Sequence, residues 1–125
     1  MKTILLIEDN SEFLQNLTEY LQLEGYRILA CSNGEKGIIL ARRFIPDLII
    51  CDVLMPDLNG TEVLHLLLIE PRTSKIPFIF STSISDNVDG PDALKLGADD
   101  YITKPYELDT LLQKAKAWII SGSRR

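Results

Sequence analysis

The chain is expected to fold as an α/β domain, with a five-stranded parallel sheet and helices on both faces. Two observations carry this. Short apolar runs alternate with helical periodicity five times along 125 residues. The first and third runs are apolar almost throughout, as strands buried on both faces must be. The length suits one domain, residues 1–121, with no room for a second.

Residues 3–7, TILLI, form the first strand. Between 11 and 23, Phe13, Leu14, Leu17, Tyr20 and Leu21 recur at spacings of three and four, which is one face of a helix, and Gly25 stops it. Residues 26–30 are the second strand. Asn33-Gly34 begins a second helix that runs to about residue 44 and ends near Pro46, because the residue before a proline is steered away from helix. Residues 48–51 are the third strand. Asn59 or Gly60 opens a third helix, which must end at Glu70 before Pro71. Residues 78–82 are the fourth strand. A weaker helix reaches Leu96, and Gly97 closes it. Its start is expected to be late: proline costs about 3 kcal/mol inside a helix but is welcome at its first position. In Asp86-Asn87-Val88-Asp89-Gly90-Pro91-Asp92 that places the start near Pro91, with 86–90 as a loop. Residues 101–103 make a short fifth strand and 107–120 the last helix. Residues 122–125 are expected to be a frayed tail or the end of a cut chain.

Composition narrows the function. With 46% apolar and 25% charged residues the chain is an ordinary globular domain, not a disordered one. A net charge of -5, with Arg124-Arg125 as the longest basic run, argues against nucleic-acid binding. No run of about 18 apolar residues and no signal peptide is present, so neither membrane spanning nor export is expected, and the cytoplasm is the expected location. In that reducing compartment Cys31 and Cys51 read as buried free thiols; strand alternation turns Cys51 away from Asp52. His65 is the only histidine, which removes any Cys/His metal cluster; on the third helix it reads as a surface residue and not a phosphodonor.

In sheets of this kind the functional crevice lies beyond the carboxyl ends of the strands, where strand order reverses. After the first strand come Glu8 and Asp9. The third delivers Asp52 ahead of a Pro-Asp-Leu-Asn-Gly turn, the fourth leads into Ser81, Thr82 and Ser83, and the fifth ends at Lys104, followed by Pro105. Packing does not require a carboxylate at the end of a buried run. Neighbouring strands lie about 4.8 Å apart, so Asp9 and Asp52 face each other if the first and third strands are adjacent. Acids that close repel unless a cation sits among them. Hard oxygen ligands in a small, partly open site suit Mg²⁺, which keeps several waters and takes one or two carboxylates plus phosphate oxygens. The amine and hydroxyls would then face an anion. Singly, each residue has a bland reading: Asp9 as a loop acid or cap, Thr82 as a strand-end hydroxyl, Lys-Pro as a common pair. Their placement at four matching strand ends carries the inference.

The stretches ILLIEDN, LIICDVLMPDLNG, IPFIFSTS and GADDYITKP resemble the receiver domain of bacterial response regulators, over essentially the whole chain. The resemblance implies the flavodoxin-like strand order 2-1-3-4-5. It implies two-component signalling, in which a histidine kinase or a histidine phosphotransfer protein passes a phosphoryl group to Asp52. Glu8 and Asp9 would hold Mg²⁺, with Asp52 as metal ligand and phosphoacceptor and the Leu54 backbone carbonyl as a further ligand. Thr82 would be the switch hydroxyl, Lys104 the phosphate-pairing lysine, Tyr101 the aromatic that changes rotamer, and the Lys104–Pro105 bond cis. The chain would be no enzyme beyond catalysing its own phosphorylation and slow self-dephosphorylation. Its output would pass to a downstream protein or to an effector domain outside this sequence, with a homodimer as a further option.

Two other classes stand beside this: a receiver-like binding module that works without phosphorylation, and a flavin or nucleotide carrier on the same sheet. The acidic, glycine-free Glu8-Asp9-Asn10 loop repels phosphate and disfavours the carrier. Smaller expectations follow. Val63, Leu64, Leu67 and Leu68 supply the core stripe of the third helix, so Leu66 and Ile69 are candidates for an exposed apolar patch, with a broadly buried helix as the alternative. Trp118 packs partly into the core. Asp99 and Asp100 read as loop or cap residues. Leu54 and Ile84 flank the path of a hydrolytic water and are too apolar to hold one, which implies a long-lived phosphorylated state.

Overall fold

The computed structural model describes residues 1–83 and 90–125. Five strands and five helices alternate: β1 (Thr3–Ile7), α1 (Ser11–Leu23), β2 (Arg27–Cys31), α2 (Gly34–Phe44), β3 (Leu48–Asp52), α3 (Gly60–Leu68), β4 (Phe78–Thr82), α4 (Gly90–Lys95), β5 (Asp100–Thr103) and α5 (Leu108–Ser121). All pairings are parallel, in the order β2-β1-β3-β4-β5. The fold and strand order are therefore those expected, and the Lys104–Pro105 peptide is cis. No helix among the described residues is long and apolar enough to cross a membrane.

Local chemistry explains the element ends. Asn10, Asn33 and Asn59 each cap a helix, accepting the N–H of Phe13 at 3.0 Å, Lys36 at 2.8 Å and Glu62 at 3.0 Å. Gly25 and Gly97 follow α1 and α4 with positive φ, the backbone in which glycine pays no steric penalty. Helix α3 stops at Leu68, earlier than the expected Glu70. The buried Thr73 hydroxyl donates to the Leu67 carbonyl at 2.7 Å and turns the chain before Pro71 can be reached by helix. Strand β3 runs one residue further than expected because Asp52 still pairs with Ser81 of β4. Helix α4 is described from Gly90 to Lys95, and the residues before it, on which the expected start depends, are not among the described ones. The expected loop over residues 86–89 lies outside the described residues.

Strand alternation splits the core into two layers. Leu5, Ile7, Ile49, Cys51, Phe78 and Phe80 face α2, α3 and α4. Ile4, Leu6, Ile50, Ile79 and Ile102 face α1 and α5, where Trp118 packs partly buried. Cys31 and Cys51 are buried free thiols. In α3, Leu66 and Leu68 are both half-buried against the core, while Ile69 is 64% exposed. The patch expected from Leu66 and Ile69 therefore reduces to Ile69 alone.

The tail expected to fray instead makes contacts, and they run to a residue expected to be a loop acid. Asp99 is buried, and its carboxylate accepts the N–H of Phe78 at 2.9 Å, the N–H of Arg124 at 2.7 Å and Arg125 Nη1 at 2.8 Å. Arg125 also donates to the carbonyls of Ser74, Ile76 and Gly97. One guanidinium thus joins the turn before β4 to the turn before β5. Its side chain is 20% exposed and that of Asp99 fully buried. Removing one partner of a buried pair typically costs 3–5 kcal/mol, so Arg125→Ala is expected to cost about 3 kcal/mol in urea unfolding. Asp99→Asn combined with Arg125→Ala should cost clearly less than the two single changes added. Simple additivity would show that the pair does not act as a unit.

Candidate functional site

The sheet register brings the carboxyl ends of β1, β3, β4 and β5 to one level: Ile7 lies beside Cys51, Asp52 beside Ser81 and Thr82 beside Thr103. The residues that follow converge. Lys104 Nζ is 2.7 Å from Glu8 Oε1 and 2.9 Å from Asp52 Oδ1. The other Glu8 oxygen accepts the N–H of Asn10 at 3.0 Å. Lys104 is tied back to β4 by its N–H on the Thr82 carbonyl at 2.6 Å, and its ammonium lies 5.0 Å from the centre of the Phe13 ring. Glu8 and Asp52 are buried, Asp9 is exposed, and one oxygen of each lies within 4.8 Å of the others. A depression of about 240 Å³ opens above them, lined by Asp9, Asp52 and Lys104, by Ser81 and Ser83, and by Val53 and Leu54.

Burial and crowding set the charges. Burial, and after it the neighbouring Glu8, together raise the Asp52 carboxyl from its ordinary 3.8 to about 8, with Lys104 only partly offsetting them. Burial also opposes the Glu8 charge, but hydrogen bonds from Asp52, Lys104 and the Asn10 N–H outweigh it and hold Glu8 below the carboxylate range. Burial and mutual repulsion therefore favour a proton on Asp52 over one on Glu8, the more acidic of the two, beside the one ammonium. The Lys104 pKa is raised: its burial disfavours the cation, and the two carboxylates more than compensate.

The other expected residues divide. Leu54 lies on the rim and is 52% exposed. Thr82 is buried, and its hydroxyl turns toward β5, 3.5 Å from the Ile102 carbonyl and 3.4 Å from Thr103 Oγ1, not into the depression. Tyr101 is half-buried on β5, packed against the core. Ile84 lies outside the described residues. Glycine is required at Gly60, where a Cβ would run into the Asp52 carbonyl. Sequence reasoning missed one group, Asp57, and named Ser81 among the strand-end hydroxyls without giving it a separate place. The Ser81 hydroxyl, in the strand position beside Asp52, is buried with no hydrogen-bond partner among the described residues. Asp57, read only as part of a turn, accepts the N–H groups of Gly34 and Glu35 at 3.1 and 2.9 Å. Its place after Pro56 hinted at a turn, but its partners lie 22 and 23 residues away, beyond any local pattern.

The donor set fits a small hard cation. It is all oxygen and contains a carboxylate, Asp9, that faces solvent; among the described residues Asp52 Oδ1 makes only an ion-pair contact and no hydrogen bond. A divalent ion among these groups would supply the charge that one lysine leaves uncompensated.

The comparisons agree with this geometry. The family model of the response regulator receiver domain matches residues 4–116. The chain is 36% identical to Protein PilH of Pseudomonas aeruginosa, covering 98% of this chain and all of that protein. It is 36% identical to the transcriptional regulatory protein AfsQ1 of Streptomyces coelicolor, where it covers 99% of this chain but 54% of the relative. Among solved structures, the signal receiver domain of a signal transduction histidine kinase from Syntrophus aciditrophicus superposes with a TM-score of 0.89 at 34% identity, over 100% of this chain and 95% of that one.

The raised Asp52 pKa has a measurable consequence. A group whose folded pKa lies above its unfolded one contributes stability below the unfolded value and loses it as pH rises through the folded value. For Asp52 that window runs from about 4 to about 8. In metal-free buffer, Asp52→Asn is expected to stabilise the fold on the order of 2 kcal/mol at pH 8 and hardly at all near pH 4. Urea unfolding with EDTA across this range reads it, and a gain independent of pH would contradict the assignment.

Proposed function

Because the chain belongs to the response regulator receiver domain family, and is thus a receiver of two-component signalling, we propose that it is a cytoplasmic phosphoacceptor that takes a phosphoryl group onto Asp52. The observation that carries this is the placement of Asp52: a buried carboxylate at the end of β3, within reach of Glu8, Asp9 and Lys104 at the floor of an open polar depression.

The donor is the phosphohistidine of a histidine kinase or histidine phosphotransfer protein. The ionised Asp52 carboxylate attacks phosphorus, an O–P bond forms as the N–P bond to imidazole breaks, and the imidazole leaves with its electron pair. Glu8 and Asp9, with the Asp52 carboxylate and the Leu54 backbone carbonyl, would hold Mg²⁺. The ion would supply positive charge against the transferring oxygens and keep Asp52 ionised. Lys104 shifts its contact from Asp52 to a phosphoryl oxygen. The backbone N–H of Val53 or Ser83, both on the rim, provides a further donor. Thr82 then turns from β5 toward the new charge, leaving space for Tyr101 to move inward and altering the face made by α4, β5 and α5. An apolar groove of about 420 Å³ beside the site, lined by Phe13, Pro105 and Tyr106 and reaching Lys104, supports docking of the donor next to the acceptor. The signal passes to a downstream protein or to an effector domain.

Incubation with acetyl phosphate and Mg²⁺, read by intact mass, should show a gain of one phosphoryl group that Asp52→Asn and EDTA both abolish. No gain in the wild type would return the chain to a phosphorylation-independent binding module.

The rim residue Leu54 offers no hydrogen bond to a hydrolytic water. Leu54→Asn should shorten the lifetime of the phosphorylated protein about tenfold, which corresponds to about 1.4 kcal/mol in the barrier. Decay followed by intact mass in Mg²⁺ tests this, and an unchanged lifetime would remove Leu54 from control of hydrolysis.

A further inference from the structure

We propose that Asp57 is a positioning residue for the phosphoacceptor site, holding the loop after β3 in place by anchoring it to the N-terminus of α2. This rests on the function proposed above.

The loop of residues 53–59 carries two groups that the proposed reaction draws on, the Leu54 carbonyl and the Val53 N–H, one of the two candidate backbone donors. At its end it is fixed by the Gly60 N–H on the Val53 carbonyl at 2.6 Å. Along its middle, among the described residues, its only side-chain hydrogen bonds to the rest of the molecule are those of Asp57: Oδ1 to the Gly34 N–H at 3.1 Å and Oδ2 to the Glu35 N–H at 2.9 Å. The same bonds hold the Asp57 carboxyl below its ordinary range, the Glu35 N–H contributing most.

The first turn of α2 shows how the load is divided. Its opening N–H groups have no partner within the helix. Asn33 takes one of them, the Lys36 N–H, through its side chain, while its carbonyl accepts the Gly37 N–H in the first bond of the helix itself. Asp57 takes the other two. Asn33 is local, but Asp57 comes from across the molecule, so only its bonds tie helix to loop. The surfaces are also fitted there: a Cβ on Gly34 would meet the Leu58 carbonyl at 2.6 Å. Helix α2 is in turn bedded on the sheet through Ile38 and Ala41. The chain of support runs from sheet to α2, through Asp57, to Leu54 and Val53.

Asn33 provides the control, because Asn33→Ala removes a cap from the same helix end without releasing the loop. Both Asn33→Ala and Asp57→Ala should lower Tm. Only Asp57→Ala should speed amide hydrogen exchange at Val53 and Leu54 in metal-free protein. Only Asp57→Ala should weaken Mg²⁺ binding, measured by calorimetry with Mg²⁺ alone, by about tenfold, the lower end of what outer-shell partners contribute. Asp57→Asn, which keeps one acceptor oxygen, should recover part of the affinity. Equal effects of Asn33→Ala and Asp57→Ala on exchange and affinity would overturn the proposal, as would an unchanged Asp57→Ala. A wild type that binds no Mg²⁺ removes this proposal and the function reading together. A wild type that binds Mg²⁺ as tightly as Asp57→Ala removes this proposal alone.

Discussion

The ammonium of Lys104, bridging the buried carboxylates of Glu8 and Asp52, is the contact on which the arrangement of the site depends. Two buried acids this close repel strongly, and one cation cannot neutralise both. The cluster persists because the sheet leaves it no alternative. Glu8 and Asp52 directly follow or end strands whose residues are almost wholly buried and whose register is fixed on both faces. A slip of one residue would turn every core side chain of β1 or β3 to the wrong layer, at a cost far above that of the crowded acids. The two hydrophobic layers thus hold the carboxylates together against their own electrostatics. That stored repulsion is what a divalent cation or a phosphoryl transfer can relieve.

The loops share the task unevenly. Strand ends place Glu8, Asp52 and Lys104 through backbone alone. The groups between strands need additional anchors. Gly60 allows α3 to start directly against the Asp52 carbonyl, and Asn59 caps that start. The far side of the sheet has its own fastening in Asp99 and Arg125, which joins the turns before β4 and β5. Charged groups therefore lie at both ends of the sheet, but with opposite character. At the Asp99 end a carboxylate meets a guanidinium in a matched pair. At the Asp52 end two buried carboxyls meet one ammonium, so both can be ionised only if a further cation arrives.

How much of this was legible in the sequence follows from the range of the interactions involved. The strands and helices were readable because apolar period, asparagine caps and terminal glycines are local signals. The convergence of Glu8, Asp9, Asp52 and Lys104 was readable because parallel topology maps strand ends to one edge. What stayed hidden depended on long-range partners. Asp57 looks like any acid in a turn until α2 is seen 22 residues away in sequence. Asp99 looked like a loop acid because nothing local shows that Arg125, 26 residues on, returns to it. Leu66 looked surplus because a nine-residue α3 with so many leucines has more apolar side chains than one stripe needs; only packing showed Leu66 half-buried and Ile69 outside. The stop of α3 depended on a single threonine hydroxyl, which no pattern announces.

The contrast between Lys104 and Thr82 bears on how such a site would switch. Lys104 is held by two short charged contacts, so it is preset toward the acceptor. Among the described residues the Thr82 hydroxyl is held only by contacts of 3.4 and 3.5 Å, at the limit of what counts as a hydrogen bond. Turning it toward a phosphoryl group would exchange those weak contacts for a charge-assisted bond, a gain on the order of 1.5–3 kcal/mol. Each 1.4 kcal/mol is a tenfold change in an equilibrium constant, so that single rotation can move a two-state balance about ten- to a hundredfold. Under the proposed function the tight residue does the chemistry and the loose one carries the signal. Thr82 and Tyr101 sit on paired strands, Thr82 beside Thr103 and Phe80 beside Tyr101. The hydroxyl that would leave β5 and the ring that would follow it thus share one two-strand ladder, and no relay through the core is needed.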